Sequence, residues 1–177
     1  MKKNVIITIG RQFGSGGHEV GKRLSDRLGI PLYDRNLIQM ATKEMGLLPD
    51  QSDEGQLSKE VFQIQSDLIR KLADKEPCII IGRCADYILE GRHTCLNAFV
   101  YAEIRDRIHR IMRIYNLNEE EAWEKIKKTD AERKEYYEKH TGNTWGSIES
   151  HQMLFNVSLM DIQDVVDTLA AMYRARR

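Results

Sequence analysis

What this chain lacks first of all is an excess of charge: Lys and Arg total 27, Asp and Glu total 27, and the formal net charge is zero. No global field draws it to nucleic acid or to an anionic membrane, so any anion it binds must be held by a local cluster of cations. Cysteine is scarce and odd in number. Cys78, Cys84 and Cys95 show no C-x-x-C spacing, which argues against a disulfide framework and a zinc site and fits a reducing, cytoplasmic setting. Long apolar runs are missing as well. The stretch between Lys3 and Arg11 is shorter than a signal-peptide core, and no run approaches membrane-spanning length. Internal repeats and low-complexity segments are absent too. With 177 residues the chain has room for one domain with a real core and too little for two, so a single domain over 1–177 is expected, with neither nucleic-acid nor membrane partners.

The absence with the largest consequence is that of one lysine. Val5-Ile6-Ile7-Thr8-Ile9 is a β-branched run without surface alternation, as in a strand covered on both faces. It breaks into Gly10-Arg11-Gln12-Phe13-Gly14-Ser15-Gly16-Gly17-His18-Glu19 and then reads as a helix. A buried strand, glycines that admit positive φ and close ligand approach, and a helix N-terminus make a phosphate-binding loop. The Walker pattern G-x-x-x-x-G-K-[ST] adds a lysine for the β and γ phosphates and a hydroxyl for magnesium. With Gly16 as the second glycine, Arg11 stands where the first glycine belongs, Gly17 where the lysine belongs and His18 where the hydroxyl belongs. Gly16-x-x-x-x-Gly21-Lys22 fits the spacing up to its last residue, but it would delay the helix to about Arg23 and remove Val20 from its apolar stripe. Lys22 is therefore read as a helix-surface residue. Backbone cradling survives the loss of the lysine, but the cation must come from elsewhere, from Arg11 or from a later segment. Ser15 or an outer-shell water network is left to assist magnesium.

Val20, Leu24 and Leu28 at four-residue spacing, ended by Gly29 and Pro31, predict a first helix over Gly17–Leu28. Further strands are expected over 30–34, 78–82, 97–102 and 153–158. Helices are expected over 36–44, along the stripe Val61, Ile64, Leu68, Ile69 and Leu72, and over Ile104–Tyr115. Another runs from about Glu119 through Lys139 behind an Asn118 cap, and a last one follows Asp161. Residues 46–58, with Pro49, Asp50 and Gly55, read as a mobile loop. Strands alternating with helices imply right-handed crossovers, hence an α/β fold of three layers whose five-stranded parallel sheet carries helices on both faces.

In such sheets ligands sit beyond the carboxyl ends of the strands. Three strand ends carry polar signatures: residues 10–18, Asp34-Arg35, and Gly82-Arg83-Cys84-Ala85-Asp86. Singly, an Asp-Arg pair is an ordinary turn or helix cap; three signatures at one edge point to a site. These segments resemble the cytidylate kinase-like family, a branch of the P-loop nucleoside monophosphate kinases. The pieces that carry the resemblance are Gly10-Arg11-Gln12-Phe13-Gly14-Ser15-Gly16-Gly17, Leu32-Tyr33-Asp34-Arg35, Ile81-Gly82-Arg83-Cys84-Ala85-Asp86-Tyr87-Ile88-Leu89, Lys128-Thr129-Asp130-Ala131-Glu132-Arg133 with Tyr136-Tyr137, and Thr141-Gly142-Asn143-Thr144-Trp145-Gly146. The likeness spans nearly the whole chain and is thinnest across 46–58.

The resemblance implies a P-loop NTPase fold with an acceptor-side region over 46–75 and a helical lid over 118–146. It implies a kinase that moves the γ-phosphoryl group of ATP, with Mg2+, to CMP, dCMP or a similar small acceptor. ATP would lie on Gly14, Ser15, Gly16, Gly17 and His18, while Asp34, Arg35, Arg83 and Asp86 would face the acceptor. Arg11, Arg83, Lys128, Asp130 and Arg133 would be the catalytic and lid groups. Those residue types suit phosphoryl transfer, which proceeds by positioning and by cations that neutralise the transferring oxygens. Blander roles stand beside these. The run Lys127 to Arg133 equally suits a solvated helix face, His18 a polar helix start, Cys84 a small packing residue, and Trp145 with Tyr136-Tyr137 a surface cover. Arg174-Ala175-Arg176-Arg177 is a solvated helix end. Two other functions compete. The missing lysine suits an ATP-binding sensor with weak or no catalysis, and Gly14-x-Gly16 with Asp34 suggests dinucleotide binding, which Glu19 at the third glycine position opposes.

Overall fold

In the computed structural model, which describes residues 4–44 and 59–177, the apolar run after Asn4 is β1 (Ile6–Arg11), the central strand of a five-stranded sheet. There follow α1 (Gly17–Leu28), β2 (Leu32–Tyr33), α2 (Arg35–Glu44), α3 (Lys59–Lys75), β3 (Cys78–Ile81) and α4 (Ala85–Ile88). The chain continues through β4 (Cys95–Tyr101), α5 (Ile104–Tyr115), α6 (Glu119–Thr141), β5 (Met153–Asn156) and α7 (Ile162–Arg176). The strand order is β2-β3-β1-β4-β5 and every pairing is parallel, as the alternation of strands and helices predicts. The loop expected over 46–58 lies outside the described residues.

The period of two along each strand divides the apolar residues between two cores. Ile7, Ile9, Ile79, Ile81, Leu96 and Val100 face α1 and α7, where Val20, Leu24, Val165 and Leu169 meet them. Ile6, Ile80, Cys78 and Cys95 face the other way, against Ile38, Ile69, Ile88 and Tyr137 of the helices on that side. Each fully buried aliphatic side chain of this kind contributes about 1.5–3 kcal/mol. A third, smaller cluster of Ile111, Ala122 and Ile126 joins α5 to α6. α1 stops where Gly29 enters the left-handed region and its N–H donates to Ser25 O. α6 starts at a reciprocal capping box between Asn118 and Glu121.

Two elements depart from the expected pattern. β2 is only two residues long, because Asp34 already caps α2. α4, a single turn, follows three successive left-handed residues, Gly82 (φ 69), Arg83 (φ 57) and Cys84 (φ 55). Two non-glycine residues in that region are costly and persist only where the surroundings hold them. The sheet places this turn, the β1–α1 loop and Asp34 side by side at its carboxyl edge. β1 is flanked by β3 on one side and β4 on the other, and this is where the strand order reverses.

Candidate active site

The loop after β1 turns through Gly14 (φ 81) and Gly16 (φ 87), so its backbone needs glycine at both places. Ser15 is buried beneath it. Its Oγ donates toward Gln12 O (2.8 Å) and Val100 O (3.1 Å), and its N–H toward Gln12 O (3.3 Å). The structure thus places the Ser15 hydroxyl under the loop as a brace, away from any ligand on the outer face. Gly17, His18 and Glu19 begin α1, where backbone N–H groups have no intrahelical partner and face outward. Glu19 is gripped by Arg23 and Arg110. Burial pushes its carboxyl up, but the two arginines more than reverse this and keep it below the ordinary range.

Arg11 ends β1 and is almost enclosed by glycines. A Cβ at Gly17 would sit 2.5 Å from the Arg11 Cβ, and one at Gly82 would overlap the Arg11 guanidinium. Both positions therefore accommodate the path of this one side chain. Replacing Gly17 by alanine is expected to cost about 1–3 kcal/mol of stability and to displace Arg11, read as a lower Tm together with weaker phosphate binding. Arg11 opens into a cleft of about 460 Å³ that Arg35, Arg83 and Arg133 also line. Among the described residues none of the four arginines forms an ion pair. Burial, then Arg133 and Arg83, lower the Arg11 pKa to about 9, and Asp34 offsets only part of this. Arg83 lies over the Tyr136 ring at 5.0 Å, and its Nε and Nη2 are buried without a hydrogen-bond partner. A cationic cluster of this kind, with Arg11, Arg83 and Arg133 half-buried and Arg35 exposed at its edge, suits an anion.

α6 closes the top of the loop. Asp130 Oδ1 accepts the Phe13 N–H at 2.7 Å, and its Oδ2 accepts from Arg107 Nη1 at 2.5 Å. Arg107 Nη1 also reaches Phe13 O (3.3 Å), and Arg133 donates to Arg11 O (3.1 Å) while lying over the Phe13 ring. Asp130 thus grips the loop backbone, Arg133 both grips it and lines the cleft, and Lys128 is exposed on the cleft wall. Burial lowers the Arg133 pKa, as it does for Arg83.

The floor of the cleft holds a buried polar group. Tyr137 donates to Asp86 Oδ2 at 2.6 Å, and His151 Nε2 stands 3.7 Å from the same oxygen while its Nδ1 donates to Ser147 O. Asp86 therefore lies beneath the cleft, already bonded. Aromatic groups form the outer wall: Trp145, edge-on to Phe99, and Tyr136 beside His140, which stacks on Phe62. Arg35 lines the cleft, and Asp34 precedes it at the end of β2. Asp34 Oδ1 accepts the Leu37 N–H at 3.0 Å, and Oδ2 meets His18 Nε2 at 3.2 Å. Burial raises the Cys84 pKa to about 12, so that residue is a packed thiol.

Sequence reasoning missed Arg107 and His151. For Arg107 a signal existed: it falls three residues after Ile104 and four before Ile111, a charge placed inside an apolar helical stripe. His151 sits in a loop whose sequence carries no comparable signal. A second cleft of about 500 Å³ adjoins the other side of the loop, lined by Gly14, Arg110, Arg113, Asp161 and Ile162. Among the described residues no group of three or more His, Cys, Asp or Glu side chains is placed to hold a metal ion. No described helix is long and apolar enough to cross a membrane.

Comparison with solved structures returns proteins of the same size and fold. A crystal structure of an uncharacterized protein from Eubacterium ventriosum superposes with a TM-score of 0.84 at 28% identity, covering 97% of this chain and 99% of that one. Shikimate kinase from Bacteroides thetaiotaomicron gives 0.55 at 18% identity, with 96% and 98% covered. A gluconokinase from Sinorhizobium meliloti gives 0.56 at 14% identity, with 99% and 94% covered. The last two likenesses are of fold alone. No curated protein matches the sequence. The sequence pattern of the cytidylate kinase-like family matches residues 6–159.

Proposed function

The chain belongs to the cytidylate kinase-like family, and from that premise we propose that it transfers the γ-phosphoryl group of ATP to CMP, dCMP or a similar small phosphorylated acceptor. The observation that carries this reading is the convergence of Arg11, Arg35, Arg83 and Arg133 on one cleft beside a glycine loop, with aromatic groups at its outer wall. Such a cleft suits a ligand with an anionic head and a planar ring. The phosphates of ATP lie on the N–H groups of residues 14 and 16–18, and its base enters the second cleft beside Arg110. The acceptor phosphate enters the arginine cleft, with Arg35 and Arg83 on its oxygens. Its attacking oxygen then meets the γ-phosphorus in line, the bond to the β-phosphate oxygen breaks, and ADP leaves.

Arg11 lines the arginine cleft at the end of β1, beside the glycine loop, and its bidentate guanidinium neutralises the transferring oxygens in place of the loop lysine. Arg133 and Asp130 hold α6 over the loop and exclude water. For the divalent cation, the carboxylates of Asp130 and Glu19 are already engaged by arginines, and the Ser15 hydroxyl is spent on backbone. His18 and Asp34 fit the role, with Nε2 and Oδ2 3.2 Å apart at the loop's edge. A bound divalent cation would supply neutralisation of the phosphate charge there.

An ADP-release assay over a panel of nucleoside monophosphates tests the function. Turnover with CMP and dCMP ahead of the others is expected, and no turnover with any of them contradicts it. The missing lysine favours one second reading, an ATP-binding sensor; calorimetry showing ATP bound without turnover would support that reading instead.

A further inference from the structure

We propose that His18 and Asp34 form a mixed nitrogen and oxygen half-site for the nucleotide's divalent cation, and that this half-site selects Mn2+ or a similar first-row ion over Mg2+. The inference rests on the kinase reading and deepens it. His18 is the second residue of α1 and occupies the place of the Walker hydroxyl. Asp34 follows β2 and reaches the same spot from the neighbouring strand end.

Two donors held at right angles on one ion, each at roughly 2.1 Å, stand about 3.0 Å apart. The Nε2 to Oδ2 distance is 3.2 Å, so one ion can take both with little movement. Asp34 is prepared for this. The Leu37 N–H fixes its Oδ1 and leaves Oδ2 turned toward His18, as an outer-shell hydrogen bond orients a metal-binding carboxylate. The His18 side chain is 57% exposed and meets no other partner among the described residues, so it is reachable from solvent.

Two protein donors do not complete a coordination shell, and among the described residues no third one joins them. The remaining positions fall to phosphate oxygens and water, the usual arrangement for an ion that arrives with a nucleotide. The imidazole then decides the preference. Mg2+ is a hard ion that keeps oxygen ligands and dehydrates reluctantly, whereas first-row transition ions accept imidazole nitrogen.

The test is pulsed electron paramagnetic resonance on the full chain with Mn2+ and ADP, which reads coordination without turnover. Wild type is expected to show nitrogen modulation from a directly bound imidazole. His18→Asn is expected to lose that modulation and to bind Mn2+–ADP about tenfold or more weakly. A Mn2+–ADP–protein complex without nitrogen modulation, or one whose modulation persists in His18→Asn, overturns the half-site while leaving the kinase reading standing. Failure of the protein to bind ADP at all overturns both.

Discussion

Replacing Arg11 by methionine is expected to slow phosphoryl transfer by about 10²–10³-fold while raising the thermal stability of the free protein. The loss follows from removing the cation that β1 itself carries to its end, where the loop holds Gly17 in place of lysine. The gain follows from electrostatics. The Arg11 guanidinium is half-buried beside Arg133 and Arg83 without an ion pair among the described residues, and desolvation first, then those neighbours, lower its pKa to about 9. A cation whose folded pKa lies below its unfolded value costs the folded state stability at every pH below the folded pKa. That cost is relieved as pH climbs from about 9 toward the ordinary arginine range. At neutral pH the whole cost is present, so methionine, which keeps the apolar stem, removes it. The same sign predicts that phosphate or ATP stabilises the wild type and that binding weakens as pH rises through about 9. Initial rates and Tm, with and without phosphate, check this; a methionine variant of unchanged rate, or one that melts lower, contradicts it.

Asp130→Ala is expected to cost about 3–5 kcal/mol, the largest stability loss at the site. Asp130 is the only carboxylate among the described residues paired with Arg107, which is 8% exposed and whose Nε is already without a partner. Removing it strands a buried charge and also frees the Phe13 N–H of the loop. Asp130→Asn keeps an acceptor for one of the two donors and is expected to fall between alanine and wild type. Urea unfolding measures both; a loss below about 1 kcal/mol for alanine would show that Arg107 finds another partner. Because α6 also carries Arg133, transfer should fall in step with the docking of this helix.

The sheet and its large helices are legible in the sequence because burial on both faces leaves β-branched runs, and one-sided burial leaves stripes at four-residue spacing. Helix α1 begins and ends at the expected residues, because Gly17 and Gly29 have steric reasons to be where they are. α4 is not legible. One turn has no period to read, and its entrance uses left-handed Arg83 and Cys84, residues that do not advertise positive φ. At the site, sequence singles out Arg11 and the glycines from spacing alone. It groups Asp130 with Lys128 and Arg133 as one charged run, whereas the turn of α6 divides them: Asp130 against the loop, Lys128 toward the open cleft. Ser15 reads as a ligand residue and is found as a brace, since a small hydroxyl beneath a tight turn bonds the carbonyls the turn leaves over.

The claim at the centre is that Arg11, and no lysine, meets the transferring phosphoryl group. A crystal structure of the protein with a non-hydrolysable ATP analogue and CMP tests it most directly. The account predicts the γ-phosphate on the N–H groups of residues 14 and 16–18, with the Arg11 guanidinium within hydrogen-bonding distance of its oxygens. A γ-phosphate held instead by Lys22 or Lys128, with Arg11 turned away, would contradict it.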